Sequence, residues 1–276
     1  MNHTSHARLS VSTWSLHRSL GKPPFYGPQS EAGQLANPTA ERAFSLLELP
    51  AQIAAHGIHT LEICHFHLPS DAPEYYQQVR AAIEAAGVEL WSLLIDDGDI
   101  THPQHGERDM AWIQGWIDVA AQLGAKNTRI IAGKQEPNAR TLALSYERLA
   151  QLATYASQRG VRAMTENWLN LTPDAQSVCY LMERLDGEIG LCVDFGNWRG
   201  ANKYDELAQI MPYGDSCHTK AHFDAKAGID ADDYRRCLEL SSKAGFAGPY
   251  TLIYDGPNAD EFAGLKTEAE VVKQYM

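Results

Sequence analysis

Three polar residues in the second half of the chain stand where an apolar run stops. They are Glu166 in VRAMTEN, Asp194 in IGLCVDFGN and His218 in DSCHTKAH. Carboxylate oxygens and imidazole nitrogens are the donors with which proteins bind many divalent cations. If the three runs are parallel strands whose carboxyl ends meet at one face, these side chains converge. The pattern therefore predicts a metal site made of Glu166, Asp194 and His218.

The segments that would position these residues alternate between strand-like and helix-like patterns. Apolar, β-branched runs lie near 9–14, 59–64, 89–95, 127–132, 161–166, 189–194, 215–220 and 250–254, and helical periods cover 41–56, 72–86, 107–123, 140–159, 173–185, 203–211, 231–244 and 259–275. Glycines at 57, 87, 124, 160 and 245 suit the left-handed turn that ends a helix. Eight such units predict a single-domain (β/α)8 TIM barrel, and the absence of a GxGxxG turn argues against a dinucleotide fold.

One segment breaks this alternation. Residues 21–40, GKPPFYGPQSEAGQLANPTA, follow the first predicted strand and are rich in proline, glycine and small polar residues. Long loops after barrel strands lie on the active-site face, so this one would be a lid with Phe25 and Tyr26 over the pocket. A disordered surface insertion explains the composition equally well.

Composition and charge exclude several classes of partner. The 276 residues carry a net charge of −12, which argues against a nucleic-acid partner because phosphate binding requires clustered Lys and Arg. The five cysteines form no CxxC pair, which favours reduced thiols. The first ten residues lack an apolar signal core, and no apolar run approaches the roughly 18 residues of a membrane span. We expect a soluble cytoplasmic protein with no membrane partner, and a homo-oligomer is one of the open alternatives.

Several segments resemble the sugar phosphate isomerase/epimerase family of xylose isomerase-like TIM barrels. The most specific are ENW, VDFGNW and CHTKAHFD, supported by GIHTLEICHFHLP and DYRRCLELSSKAGFAGPYTLIYDG. The likeness covers nearly the whole chain and is more informative about fold than about substrate. It implies a divalent metal (Mn, Mg, Co or Zn) held by Glu, Asp, His and a last Glu on strands five to eight. By position, the first three ligands fall on Glu166, Asp194 and His218.

The fourth family ligand has no counterpart. The last family strand resembles GxLSIEYEG, and its liganding Glu falls on Ile253 of GPYTLIYDG. Asp255, two residues later, points to the same strand face if the strand continues that far. Asn197 also departs from the family, which often has His there in epimerases. These departures predict a weakly bound metal and chemistry that needs one base rather than two.

The resemblance implies an isomerase or epimerase of carbohydrate metabolism, acting on a sugar, polyol or keto-sugar. Proton transfer would pass through a metal-stabilised enediolate. Glu166 would move the proton, while Lys220 and His222 would stabilise charge or replace a missing acid. The residues expected to bind the substrate are Trp14, His65, Asn167 and Asn197.

Three other functions remain open. A keto-sugar or inositol lyase or dehydratase needs only one base and tolerates the loss at Ile253 better. A non-catalytic sugar-binding barrel that has lost its metal is a second alternative. Phosphodiester cleavage in DNA, found elsewhere in the fold group, needs more metal ligands and a basic surface, which the charge of −12 disfavours.

Overall fold

A computed structural model describes residues 6–30, 38–224, 226 and 228–276 of the chain. Its eight strands are all parallel and form a closed barrel in sequence order. The barrel closes because the first strand pairs with the last, with Val11 opposite Leu252. The strands are β1 Arg8–Ser12, β2 Thr60–Cys64, β3 Glu89–Leu94, β4 Asn127–Arg129, β5 Arg162–Glu166, β6 Gly190–Asp194, β7 Gly214–Lys220 and β8 Pro249–Ile253.

A helix follows each strand and covers the outside of the barrel. The helices are α1 Leu49–Ala55, α2 Pro73–Ala85, α3 Gly106–Leu123, α4 Ala139–Ser157, α5 Ala175–Leu185, α6 Lys203–Ile210, α7 Ala231–Lys243 and α8 Glu261–Val272. The predicted (β/α)8 fold is therefore confirmed. Because all strands run the same way, every strand end that was singled out in the sequence lies at one mouth of the barrel.

The predicted glycine turns are present. The five glycines at 57, 87, 124, 160 and 245 all have φ between 63° and 76°, a conformation that a Cβ atom disfavours. Each one ends a helix shortly before the next strand, which lets short connections close each βα unit.

One predicted helix was too long. The helical pattern at 41–56 yields a helix only over Leu49–Ala55, with Pro50 in its first turn. Proline lacks an N–H group and fits only where that group has no helical partner, so the helix begins there. Just upstream, the Glu48 carboxylate accepts hydrogen bonds of 2.7 Å from both the amide and the hydroxyl of Ser45 and forms a turn instead.

The interior is apolar around the polar mouth. Large side chains such as Phe66, Phe195 and Tyr250 are fully buried. All five cysteines are unpaired, and four of them are buried. Within the described residues, every helix is too short or too polar to cross a membrane.

Candidate active site

A cavity of about 160 Å³ opens at the carboxyl ends of the strands. An apolar cavity of about 150 Å³ is large enough for a six-membered ring. We call one side the polar half; it consists of Asp96, Arg129, Glu166, Asp194, Asn197, His218 and Lys220. We call the other side the apolar half; it consists of Trp14, Phe25, Cys64, Phe66, Leu94 and Ile253. Ser12 and Trp168 complete the lining.

His218 is held by a buried carboxylate behind the cavity. Its Nε2 atom lies 2.8 Å from Oε2 of Glu62, a residue of β2 that is 1% exposed. Because a carboxylate can only accept, Nε2 donates the hydrogen, which leaves Nδ1 to face the cavity. A carboxylate behind a histidine is the arrangement that orients imidazole ligands in metal sites.

The exposed face of His218 meets two carboxylates. Nδ1 lies 3.6 Å from Glu166 Oε1 and 3.8 Å from Asp194 Oδ2. Donors bound at roughly 2.0–2.3 Å around a tetrahedral ion lie roughly 3.3–3.8 Å apart. The separations of His218 from Glu166 and from Asp194 therefore suit two pairs of the three predicted ligands. The thiol of Cys192, in register with Glu166 on the neighbouring strand, lies within 4.8 Å of the donor atoms of Glu166 and His218.

Asp194 is fixed by its own loop and by β5. Its Oδ1 atom accepts hydrogen bonds from the amides of Gly196 (2.6 Å) and Asn197 (2.8 Å), so Oδ2 remains for the cavity. The Asn167 amide clamps the backbone of Asp194, donating to its carbonyl at 3.0 Å and accepting from its N–H at 2.7 Å. Burial, together with the charge of Glu166, raises the pKa of Asp194 to about 6.

Glu166 has a partner on each oxygen. The Asn197 side chain donates a hydrogen bond to Oε1 at 2.8 Å. Arg129 Nε lies 3.1 Å from Oε2 and forms an ion pair with it, without the alignment of a hydrogen bond. Burial would raise the pKa of Glu166, but the charges of Arg129 and His218 outweigh it and lower that pKa below its ordinary value. The carboxylate is therefore held ionised and in one orientation.

Arg129 connects the ends of β3, β4 and β5. Its guanidinium pairs with the carboxylate of Asp96 and lies 4.8 Å from the ring centre of Trp168. Arg129 is 3% exposed, so its charge acts in a region of low dielectric. One signal for this residue was visible in the sequence, because Arg129 is a charged residue within the predicted strand NTRIIA.

Lys220 and Ile253 occupy the side of the site near β7 and β8. Lys220 Nζ lies 3.1 Å from Asp255 Oδ2, so the Asp255 side chain pairs with Lys220 and is not part of the cavity lining. Ile253 is 4% exposed and contributes only hydrocarbon. Gly196 makes room for Lys220, because a Cβ atom there would lie 2.9 Å from the lysine chain.

The donor set fits a divalent cation. Three buried carboxyl groups, those of Glu62, Glu166 and Asp194, surround His218. The nearby cations Arg129 and Lys220 each have a carboxylate partner as well, in Asp96 and Asp255. Burial opposes a charged imidazole, but Cys192 and the carboxylates of Glu62 and Glu166 favour it, and the pKa of His218 is raised well above its ordinary value. A cation bound here would offset the surplus negative charge that raises this pKa.

The residues predicted to bind substrate divide into two groups. Trp14 and Asn197 lie in the cavity wall, as does Lys220, whereas His65 and Asn167 do not line it. His65 is fully buried behind Asp96, accepting from the Asp96 amide at 3.1 Å through Nδ1 and donating to the Tyr26 carbonyl at 2.9 Å through Nε2.

His222 also lies outside the lining. Its pKa is lowered by burial and by the nearby cations Lys203 and Arg199, so it belongs to the surroundings of α6 and α7. As an imidazole held away from the cavity, it is poorly placed to act on a bound molecule.

The loop after β1 contributes one aromatic side chain to the cavity. Phe25 stands 4.4 Å from Phe66 and 5.6 Å from Trp14 between ring centres, and it is 59% exposed. Tyr26 instead packs against His65 at 5.0 Å. Residues 31–37 of the predicted lid lie outside the described residues.

Sequence and structure comparisons establish the family. The chain belongs to the xylose isomerase-like TIM barrel family, whose model matches residues 50–275. The resemblance seen in the sequence is therefore confirmed. A search of curated protein sequences gives no significant match.

Solved structures share the fold over nearly the whole chain. A xylose isomerase-like TIM barrel protein from Mycobacterium smegmatis, in complex with magnesium, is 16% identical, with a TM-score of 0.68 and coverage of 99% of this chain and 97% of that one. A D-allulose 3-epimerase from Methylomonas sp. is 14% identical, with a TM-score of 0.70 and full coverage of both chains. The probable 3-DHS dehydratase AsbF from Bacillus anthracis is 16% identical, with a TM-score of 0.69 and coverage of 96% and 98%. At these identities the likeness shows the fold alone.

Proposed function

We propose that this protein is a metal-dependent isomerase or epimerase of a sugar, polyol or keto-sugar. The observation that carries the proposal is the Glu62–His218 pair, which leaves Nδ1 facing Glu166 and Asp194 at 3.6 and 3.8 Å. The D-allulose 3-epimerase with the same fold supports this class of reaction. Glu166, Asp194 and His218 would hold the cation, which when bound supplies Lewis-acid stabilisation of negative charge on substrate oxygens.

Glu166 is the best-placed proton carrier. Its carboxylate lies in the cavity wall, is held ionised beside Arg129, and is oriented by the Asn197 amide at 2.8 Å. An oriented, ionised carboxylate can remove a proton from the carbon between two substrate oxygens. Lys220 lies in the same wall and would stabilise charge that develops on an oxygen.

Substrate would be positioned by Trp14 and Asn197. Trp14 offers a flat apolar surface to a ring, and Asn197 offers a hydrogen-bonding amide on the opposite half. His65, Asn167 and His222 would act only indirectly, since none of them lines the cavity.

The test is deuterium exchange into a panel of ketoses and keto-polyols in D₂O, read by mass spectrometry. Protein loaded with Mn²⁺ should incorporate solvent deuterium into at least one compound, and EDTA treatment should stop the exchange. An absence of uptake into every compound from protein shown to hold Mn²⁺ would refute the proposed proton transfer.

Ile253 favours a lyase as the second candidate. The sequence resemblance places the family's last ligand at Ile253, which lines the cavity as a hydrocarbon, so β8 supplies no carboxylate there. Elimination of water needs one base to remove a proton, whereas epimerisation commonly uses a second group on the other face. The dehydratase among the structures of the same fold supports this alternative. A product lighter by one water in the same panel would identify it.

A further inference from the structure

The guanidinium of Arg129 occupies the side of Glu166 that is turned away from His218. Nε of Arg129 lies 3.1 Å from Glu166 Oε2, while Glu166 Oε1 faces His218 at 3.6 Å. We propose that Arg129 is a resident cation that competes with the divalent ion for Glu166 and keeps that ion loosely held. This inference rests on the proposed function, because it concerns the same site.

Arg129 cannot easily move aside when an ion arrives. A second branch of its guanidinium pairs with Asp96, and NH1 donates to the Ile95 carbonyl at 3.4 Å. Trp168 covers its face at 4.8 Å. A group that is 3% exposed and fixed on three sides keeps its charge beside Glu166 whether or not an ion is bound.

Two consequences follow for an ion at Glu166, Asp194 and His218. The positive charge of Arg129 offsets part of the Glu166 charge that would attract the ion, and it repels the ion directly across a few ångströms of low dielectric. Ile253 also lowers the affinity of the site for the ion, since it supplies no charge where the sequence resemblance places a carboxylate. Arg129 is thus a positioning residue that orients the base and also limits the affinity of the site for metal.

The experiment is calorimetric titration of Mn²⁺ into the metal-free protein and its variants. Arg129→Met should tighten binding by roughly ten- to hundredfold, because an unfavourable charge is removed from the ion's surroundings. Arg129→Lys keeps the charge and should bind like the parent. Arg162→Met breaks a more exposed arginine–carboxylate pair, with Asp215, at the opposite end of β5. It serves as the control for loss of an arginine away from the cavity, and its affinity should be unchanged.

Arg129→Met also leaves Asp96 without its partner, which could destabilise the fold. The double variant Asp96→Asn/Arg129→Met removes that pair without changing net charge, and thermal melting verifies that each variant is folded. Tighter Mn²⁺ binding in the double variant supports direct competition for Glu166.

Two results would overturn the inference, and they differ. If the parent binds Mn²⁺, Asp194→Asn abolishes binding and the Arg129 variants bind no tighter, Arg129 is structural and the metal site stands. If neither the parent nor the Arg129 variants bind Mn²⁺ at all, the proposed metal site itself is rejected and the inference with it.

Discussion

The two halves of the cavity differ in how they are built. In the polar half the side chains of Arg129, Glu166, Asp194 and His218 are buried. Polar or charged neighbours hold them, as Asn197 and Arg129 hold Glu166. In the apolar half the rings of Trp14, Phe25 and Phe66 contact one another without directional bonds. The directional contacts of the polar half hold its charged groups in defined positions, whereas the apolar half provides only a surface. The charged groups therefore come mainly from the ends of β4 to β7, and the apolar surface comes mainly from the ends of β1, β2 and β8. The end of β3 supplies Leu94 to the apolar half and Asp96 to the polar half.

The largest expected effect is the loss of activity when Glu166, the carboxylate at the centre of the polar half, loses its charge. Glu166→Gln keeps the hydrogen bond from Asn197 but cannot accept a proton. We expect deuterium exchange into the substrate to fall by roughly 10²- to 10⁴-fold. Glu188→Gln, an exposed carboxylate at the amino end of β6, is the matched control and should keep the parent rate. Equal rates in the two variants would mean that Glu166 is not the base.

A second substitution introduces a charged side chain into the apolar half. Ile253→Glu places a carboxylate where the sequence resemblance puts the last metal ligand, and we expect Mn²⁺ affinity to rise by roughly tenfold or more in calorimetry. Ile253→Gln has nearly the same shape without the charge and should change affinity far less. Unchanged binding in the Glu variant would mean that Ile253 points away from the cation position.

The pairing of Asp96 with Arg129 predicts an acid-dependent loss of stability. Burial would raise the pKa of Asp96, but the charge of Arg129 outweighs it, and the pKa is lowered to about 2 from 3.8. Because the folded pKa lies below the unfolded one, the stabilisation is present above about pH 4 and disappears as pH falls towards 2. The shift corresponds to about 2 kcal/mol. In urea unfolding, the free energy of unfolding of the parent should therefore fall by about 2 kcal/mol more than that of Asp96→Asn between pH 4 and pH 2.

The control for this prediction is the surface pair of Asp118 and Arg159. Its members are 44% and 30% exposed, so Asp118→Asn should change the free energy of unfolding by less than about 1 kcal/mol at any pH. If the free energy of unfolding of Asp96→Asn and that of Asp118→Asn differ from the parent by the same pH-dependent amount, the Asp96–Arg129 pair stabilises the fold no more than the surface pair does.

The smallest effect is expected at the rim of the apolar half. Phe25 is 59% exposed, so Phe25→Ala should change the free energy of unfolding by no more than about 0.5 kcal/mol while raising KM a few-fold. Phe66→Ala, which empties a fully buried site, should instead cost about 3–5 kcal/mol. A large stability loss at Phe25 would mean that the loop supports the fold rather than the cavity.

The sequence predicted the part of the site that depends on strand direction. Glu166, Asp194 and His218 each end an apolar run, and parallel strands must bring such ends to one mouth. Trp14, Asn197 and Lys220 reached the cavity for the same reason. His65 and Asn167 also follow strands, but a side chain at that point can turn towards the cavity or towards the neighbouring strand, and the spacing of residues does not distinguish the two.

The sequence by itself determined the barrel, because alternating apolar runs, helical periods and glycine turns are local features that agree with one another along the chain. Only the tertiary structure decided which charges meet. The contact of His218 with Glu62 spans 156 residues, and that of Arg129 with Glu166 joins two different strands. Such pairs depend on side-chain directions across the closed barrel, which no local pattern contains. The orientation of His218 and the competing charge of Arg129 are therefore properties of the folded mouth.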